Sequence, residues 1–327
     1  MAFLLALHVR LESAVTPSDT TLRDSTYLFP SEFTYAGDGR VTFLGGMPRR
    51  ETQIQPLPTI ALGLGYAGIA IGLHINQANA WWKDNRGPFN VQEDWPYALQ
   101  VDKLGHIWAG YAMSTLLSDM LMECGMAEEP SIITGSALGL AYQTYVEVED
   151  GYAQKWGFSP SDAISNALGA GFRVAQHYAP VLENFTPRWS YVPSHWVGDR
   201  DLNNRPRTFI DDYNSTTFWL ACDVERLLPT EAANYWPDWM MISVGYGIRD
   251  YEVVLADGSL AAPKARFMVG LDYNWVRILP PLPGILNWVR QSLNYLRLPG
   301  PTVEFGPQGS RFHFMYPFRI TIAGIPF

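Results

Sequence analysis

The stretch Thr59-Ile-Ala-Leu-Gly-Leu-Gly-Tyr-Ala-Gly-Ile-Ala-Ile-Gly-Leu-His-Ile75 carries no charge, and the uncharged run around it extends from Thr52 to Trp82. Its length is close to the minimum for a bilayer span, roughly 20 residues. Gly68 and Gly72 place small residues one turn apart, the pattern that lets helix backbones approach closely. Trp81 and Trp82, followed by Lys83, Asp84 and Arg86, have the order of an interfacial belt. A core helix of a large helical domain has the same composition, so both readings stand at this point. Three further low-charge stretches follow. They are His106 to Met122, broken only by Asp119; Pro130 to Val146, uncharged; and Asp162 to Leu182, broken after its first residue only by Arg173. All are rich in Gly and Ala, and together they predict a bundle of about four apolar helices.

The flanks have a different texture. Met1-Ala-Phe-Leu-Leu-Ala-Leu-His-Val-Arg10 is a short apolar run with no basic residue ahead of it, and Glu12-Ser13-Ala14 is a marginal cleavage site. No cysteine follows closely, which predicts that this copy is not a lipoprotein anchored near its N-terminus. Ser25 to Phe29 and Arg40 to Leu44 read as extended segments around the turn signal Ala36-Gly-Asp-Gly39. Beyond Asn184 comes a Pro-, Trp- and Asn-rich connector, with a helix expected at Phe218 to Leu228. Strand-like runs then cover Trp239 to Ile248, Ala265 to Val276 and Arg311 to Ala323, with Asp257-Gly258 turning between the first two. Before the last run, Leu286, Val289, Leu293 and Leu296 form an apolar stripe opposite Arg290, Asn294 and Arg297. That stripe suits a helix packed on the sheet or one lying in a membrane interface. The expected class is α+β: an extended N-terminal segment (1–55), a helical domain (56–183) and a strand-rich C-terminal region (184–327).

Charged residues make up 17% of the chain, against roughly 25% in an ordinary soluble domain, while aromatics reach 14%. That excludes disorder, coiled coil and collagen. A net charge of −9 argues against nucleic acid as a partner. A mean hydropathy of −0.06 is too low for a chain made only of membrane helices. Cys124 and Cys222 lack metal-ligand spacing and are open to pairing or to separate burial. Gly63-x-Gly65-x-x-Gly68 fits a dinucleotide spacing, but it sits inside an apolar helix pattern with no βαβ unit around it, so no cofactor is assigned from it.

Three polar clusters interrupt the apolar helices. Asp102 and His106 are four residues apart and share a face. Gln143, Glu147 and Asp150 share another, with Gly151 as a stop. Ser159, Pro160 and Asp162 make a helix start (cap, first-turn proline, acid at the third position), and Asn166 lies one turn on from Asp162. Each alone reads as a solvated helix end or a cap. Three apolar helices each presenting such groups is different, because polar groups are costly to bury unless they meet one another.

The order Asp102-Lys103-x-Gly105-His106-x-x-x-x-Tyr111, then Glu147-x-x-Asp150-Gly151, then Gly157-Phe158-Ser159-x-x-Asp162-x-x-x-Asn166-x-x-Gly169 resembles the YfiM-like family of predicted periplasmic lipoproteins (DUF2279). The looser order of Asp-Lys-x-x-His, an acid, and Asp-x-x-x-Asn-x-x-Gly also resembles VanZ-like membrane proteins. The resemblance covers roughly Trp81 to Leu182 and implies a bacterial cell-envelope location on the periplasmic side, with no established reaction. The lipobox cysteine of the family is absent here.

The leading expectation is a structural or accessory subunit of a larger complex. In it Asp102, Lys103, His106, Tyr111, Glu147, Asp150, Ser159, Asp162 and Asn166 form a buried polar network, and partners are membrane lipid or other envelope proteins. The alternative is a hydrolase-type enzyme acting on an envelope lipid or cell-wall intermediate. Glu147 or Asp150 would be its general base and His106 its acid. A divalent metal ion held by Asp102, His106, Glu147, Asp150 and Asp162 is a further possibility, since hard oxygens plus one imidazole suit Mn, Fe, Zn or Mg. No nucleophile motif such as G-x-S-x-G is present. The expectations separate on one point: whether the polar groups are sealed or open onto a pocket.

Overall fold

The computed structural model describes residues 26–35, 38–197, 210–307, 309–318, 321–322 and 325–326. The N-terminal apolar run, Ser25 and the turn residues Ala36 and Gly37 lie outside them. Where two longer extended segments were expected, a two-residue ladder pairs Thr34–Tyr35 with Asp38–Gly39.

Helix α1, Pro56–Gln77, starts on proline, whose missing N–H costs nothing there. A wide turn, Ala78–Trp82, continues it, with Lys83 N bonding Ala78 O at 2.9 Å. Together they form a helix, Pro56–Trp82, long and apolar enough to cross a membrane, and none of its apolar window is buried. Leu57 and Leu64 are 78% and 71% exposed. The expected close-packing face of Gly68 and Gly72 is not met within the described residues, since a Cβ on either would have nothing within 4 Å.

Helices α2 (Val101–Glu123), α3 (Glu128–Gly151) and α4 (Pro160–Tyr178) behave oppositely. A Cβ on Gly110 would lie 2.7 Å from Asn166 O, and one on Gly135 2.5 Å from Ser118 N. One on Gly169 would overlap the Ile107 carbonyl. The three helices therefore touch backbone to backbone. Ser114, Thr115 and Ser118, buried in this seam, satisfy their hydroxyls on the carbonyls of Gly110, Tyr111 and Ser114 at 2.7, 2.9 and 2.6 Å.

Six antiparallel strands follow in sequence order: β1 (Phe185–Tyr191), β2 (Thr216–Cys222), β3 (Met240–Arg249), β4 (Lys264–Tyr273), β5 (Gly300–Gly306) and β6 (Gly309–Tyr316). The α+β class is therefore observed. The segment expected as a helix at Phe218 to Leu228 is instead β2 and a short turn, Glu225–Leu227, because a brief apolar run does not distinguish helix from strand.

The polarity of this region is inverted. Leu220, Val244, Val269, Val303 and Phe312 lie in one cross-strand row. Of these, Val244 is 53% and Phe312 49% exposed, and Phe267 is 60% exposed on the same face. The opposite face is buried and sets charge among apolar side chains: Trp219, Met241 and Met268 lie there, and Arg188 Nη1 pairs with Asp272 Oδ1 at 2.9 Å, with both side chains fully buried. Helix α5, Ile285–Ser292, follows suit. It does not pack by its apolar stripe: Leu286 and Val289 face out, while Arg290 is buried, donating to Val276 O and Leu279 O at 2.9 and 2.7 Å. Farther on, Arg297 lies 3.8 Å above the Trp219 ring. Buried charges with hydrogen-bond partners and outward hydrophobes are the reverse of a water-facing sheet.

Candidate functional site

The approach to α2 is irregular. Ala98, Leu99 and Gln100 take φ of +46, +48 and +65°, a left-handed run that costs non-glycine residues energy and needs its surroundings to hold it. Tyr246 of β3 does so, its hydroxyl donating to Leu99 O at 2.7 Å. The helix then begins at Val101, and the side chains of Asp102, Lys103 and His106 follow at once.

Lys103 is the hub. Its buried ammonium lies 2.5 Å from Asp94 Oδ1, 2.9 Å from Asp102 Oδ2 and 2.5 Å from Asp162 Oδ1. Ser159 caps α4 as expected, accepting from Asp162 N at 3.2 Å, and donates to Asp94 Oδ1 at 2.6 Å. Tyr213, from the far connector, donates to Asp102 Oδ1 at 2.7 Å.

His106 sits between two pairs of groups. Its Nδ1 is 3.0 Å from Asn166 Oδ1, which also accepts from Gln143 Nε2 at 3.2 Å. Nδ1 therefore carries a hydrogen toward that acceptor. Glu147 Oε1 stands 3.6 Å from the same nitrogen. Nε2 is 3.9 Å from Asp102 Oδ2 and 3.7 Å from Asp162 Oδ1, outside hydrogen-bond distance of both. Asp150 accepts from Trp82 Nε1 at 2.7 Å, so the wide turn after α1 reaches into the site.

One expected member is elsewhere. Tyr111 is buried against Phe172 and Tyr295, each ring 5.8 Å away. Five residues past His106 is about 140° around the helix, which aims it away from the cluster. Asp94 and Tyr213 were not expected. Asp94 sits in a loop without periodicity, and Tyr213 is more than a hundred residues from its partner.

These groups are not sealed. His106, Glu147, Asp150, Asp162 and Asp102 line an open cavity of about 400 Å³, whose other walls include Trp81, Trp108, Trp156, Trp189 and Phe218. Burial opposes the charge of His106, but Asp102, Asp162 and Glu147 outweigh it and raise its pKa to about 9. Burial lifts Glu147 to about 8 against the pull of His106, and lifts Asp150 to about 7 against the Trp82 hydrogen bond. Asp102 stays low: burial works against its charge, yet His106 and Lys103 prevail.

Of the five expected metal ligands, only Asp102, His106 and Asp162 bring ligand atoms within 4.8 Å of one another. The carboxylate oxygens of that trio that face His106 are the ones in contact with Lys103. A divalent ion there would lie against an ammonium, so the donor set fits a lysine better than a metal. Glu147 and Asp150 do not join the trio.

The shifts have a consequence for stability. Raised carboxylates keep protons in the fold that the unfolded chain loses, so stability falls as pH climbs from about 4.5 to 8. The contribution of His106 is full below 6.5 and is lost as pH rises through about 9. Both act in the same direction. Glu304 works at the acid end: burial opposes its charge, but His313, Arg266 and Arg249 hold it at about 2, so its contribution is lost as pH falls from 4.5 toward 2. Thermal unfolding is expected to show a maximum near pH 5 and a midpoint lower by roughly 5 °C or more at pH 9. A midpoint flat between pH 5 and 9 would sink this account.

The cluster and its helices coincide with one family signature. Residues 92–177 match the family of predicted periplasmic lipoproteins (DUF2279). The DUF2279 segment covers α2, α3 and nearly all of α4, with Asp94, Lys103, His106, Glu147, Asp150, Asp162 and Asn166 inside it. It is a family of envelope proteins of unknown function, and its lipoprotein description stands against the expectation of an unlipidated N-terminus. Trp82, Tyr213, α1 and the whole sheet lie outside the DUF2279 segment. The VanZ-like resemblance finds no support in this match. No curated protein and no solved structure matches the chain.

Proposed function

We propose that this chain is a membrane-seated envelope protein whose His106 cavity carries hydrolase-type acid–base chemistry on an envelope lipid or cell-wall intermediate. The observation that carries the reading is the convergence of His106, Glu147, Asp150 and Asp162 on an open cavity rather than a closed network. Membrane seating is supported by the exposed apolar surface of α1 and by the outward hydrophobes of the sheet and α5.

The roles follow from the charges. With a pKa of about 9, His106 is an imidazolium at neutral pH. With a pKa of about 7, Asp150 is poised as a base. Asp150 takes a proton from water, the hydroxide attacks the electrophilic centre of an ester, and the bond to the leaving oxygen breaks as His106 Nε2 donates its proton there. Glu147, with a pKa of about 8, stands 3.6 Å from Nδ1 and strengthens the hold on the imidazolium as it ionises. Asp102 and Asp162, held by Lys103, stabilise the imidazolium.

The test is a panel of p-nitrophenyl acyl and phosphoryl esters given to the detergent-solubilised chain. Turnover of at least one is expected, rising with pH through about 7 and falling above about 9. His106→Gln and Asp150→Asn should each lose about 10²- to 10⁴-fold in rate while remaining folded. Inactivity on the whole panel, or full activity in both variants, would overturn the reading. Stoichiometric bound metal, lost in His106→Gln, would replace it with a metal-dependent one.

The scaffold reading keeps one specific support. Lys103 ties a loop and two helices, and Tyr213 ties the connector to α2. Both are clamps as well as site walls.

A further inference from the structure

Between α1 and α2 runs a second hollow, a groove of about 60 Å³. Leu62, Ile69 and Leu73 of α1 face Leu116 and Met120 of α2 across it, and Tyr142 of α3 also lines it. No charged side chain lines it. From Leu73 to Leu62 it follows α1 for roughly 16 Å, at 1.5 Å per residue. The groove and the His106 cavity adjoin across one buried hydrogen-bonded pair. Tyr142, which lines the groove, donates to Gln77, which lines the cavity, at 3.4 Å.

The direction of the groove identifies its occupant. The cavity lies at the end of α1 that is followed by the exposed Lys83, Asp84 and Arg86, charged residues suited to the water side of a membrane boundary, with Trp82 buried beneath them. From there the groove runs back along the part of α1 whose outward face is bare hydrocarbon, with Leu64 and Ile71 71% and 60% exposed. A molecule spanning both hollows has a polar head at the interface and an apolar tail pointing into the bilayer. A soluble peptide or sugar does not have that shape; a membrane lipid does.

We propose that groove and cavity form one site for a membrane lipid, with the headgroup linkage at His106 and one acyl chain along the α1–α2 groove. This rests on the His106 reading for its chemistry, but the groove is testable without it. The Tyr142–Gln77 pair is then the point where the chain passes from the polar to the apolar half. Ala70, which also lines the groove, marks where a larger side chain blocks it.

The experiment uses the full chain in nanodiscs of phosphatidylethanolamine containing phosphatidylglycerol with a chain-terminal diazirine. After photolysis, labelling is read by residue. Label is expected on Leu116 and Met120 in the groove as well as on Leu57 and Leu64, which report bulk bilayer. Ala70→Trp should cut the groove label at least tenfold and leave the bilayer label unchanged, and Met120→Trp should do the same at Leu116. Groove label absent in the wild type, or unchanged in both blocking variants, would overturn the proposal. A water-soluble short-chain ester needs no groove, so the wild type is expected to turn it over whatever the labelling shows. If the wild type does not turn it over, the acid–base reading fails while the labelling still decides the groove.

Discussion

Replacing Lys103 by methionine is expected to destabilise the protein by about 3–5 kcal/mol, the cost of removing one partner from a buried ion cluster. The ammonium is 3% exposed and lies within 2.9 Å of oxygens from three aspartates. Methionine fills much the same volume, so the loss is electrostatic and not a cavity effect. Asp94, Asp102 and Asp162 would then face one another with His106 as their remaining cation. At roughly 2–4 °C per kcal/mol, the unfolding midpoint should fall by about 10 °C at pH 7. The deficit should shrink toward pH 4–5, where protonated acids no longer repel. A loss under about 1 kcal/mol at pH 7, the level of an exposed pair, would show that Lys103 is not the hub.

Gly169→Val is the second large effect. A Cβ at Gly169 would overlap the Ile107 carbonyl and lie 2.9 Å from Tyr111 N, both backbone atoms that cannot rotate away. Relief requires α4 to separate from α2, at about 1–3 kcal/mol for overpacking and more where backbone must move. Asn166, one turn before Gly169, holds His106 Nδ1 at 3.0 Å, so separation also breaks the site and activity should fall with stability. Gly171→Ala is the contrast. It lies in the same helix with nothing within 4 Å of a Cβ, and alanine there should stabilise by up to about 1 kcal/mol. Equal effects at the two glycines, measured by chemical unfolding, would refute the backbone-contact account.

The helical half is legible in the sequence because its charges are so few. Long uncharged runs with Gly and Ala read as helices, and i, i+4 spacing alone puts Asp102 on a face with His106 and Asp162 on a face with Asn166. The sheet is half legible. β3 and β4 alternate cleanly, but β1 contains Pro187 and Arg188, and β5 contains Pro301 and Glu304. Those residues look like connector because patterning assumes that charge points outward, and here Arg188 points inward. The same inversion hides the true packing face of α5. In the site, Tyr111 is misplaced by motif order, which ignores helical angle. Asp94 and Tyr213 reach it from irregular segments, where spacing carries no information about proximity.

The backbone contacts at Gly110 and Gly169 also separate two jobs that many sites mix. The spacing of the proton-handling groups is set where main chain meets main chain, in a part of the molecule with no side chains to trade. The walls that a ligand would touch, Trp108, Trp156, Trp189 and Phe218, come from other positions on the helices, loops and sheet. On the acid–base reading proposed above, changes among those aromatic residues would alter which molecule is accepted while the reactive centre keeps its tolerances, so selectivity and chemistry would be free to drift independently.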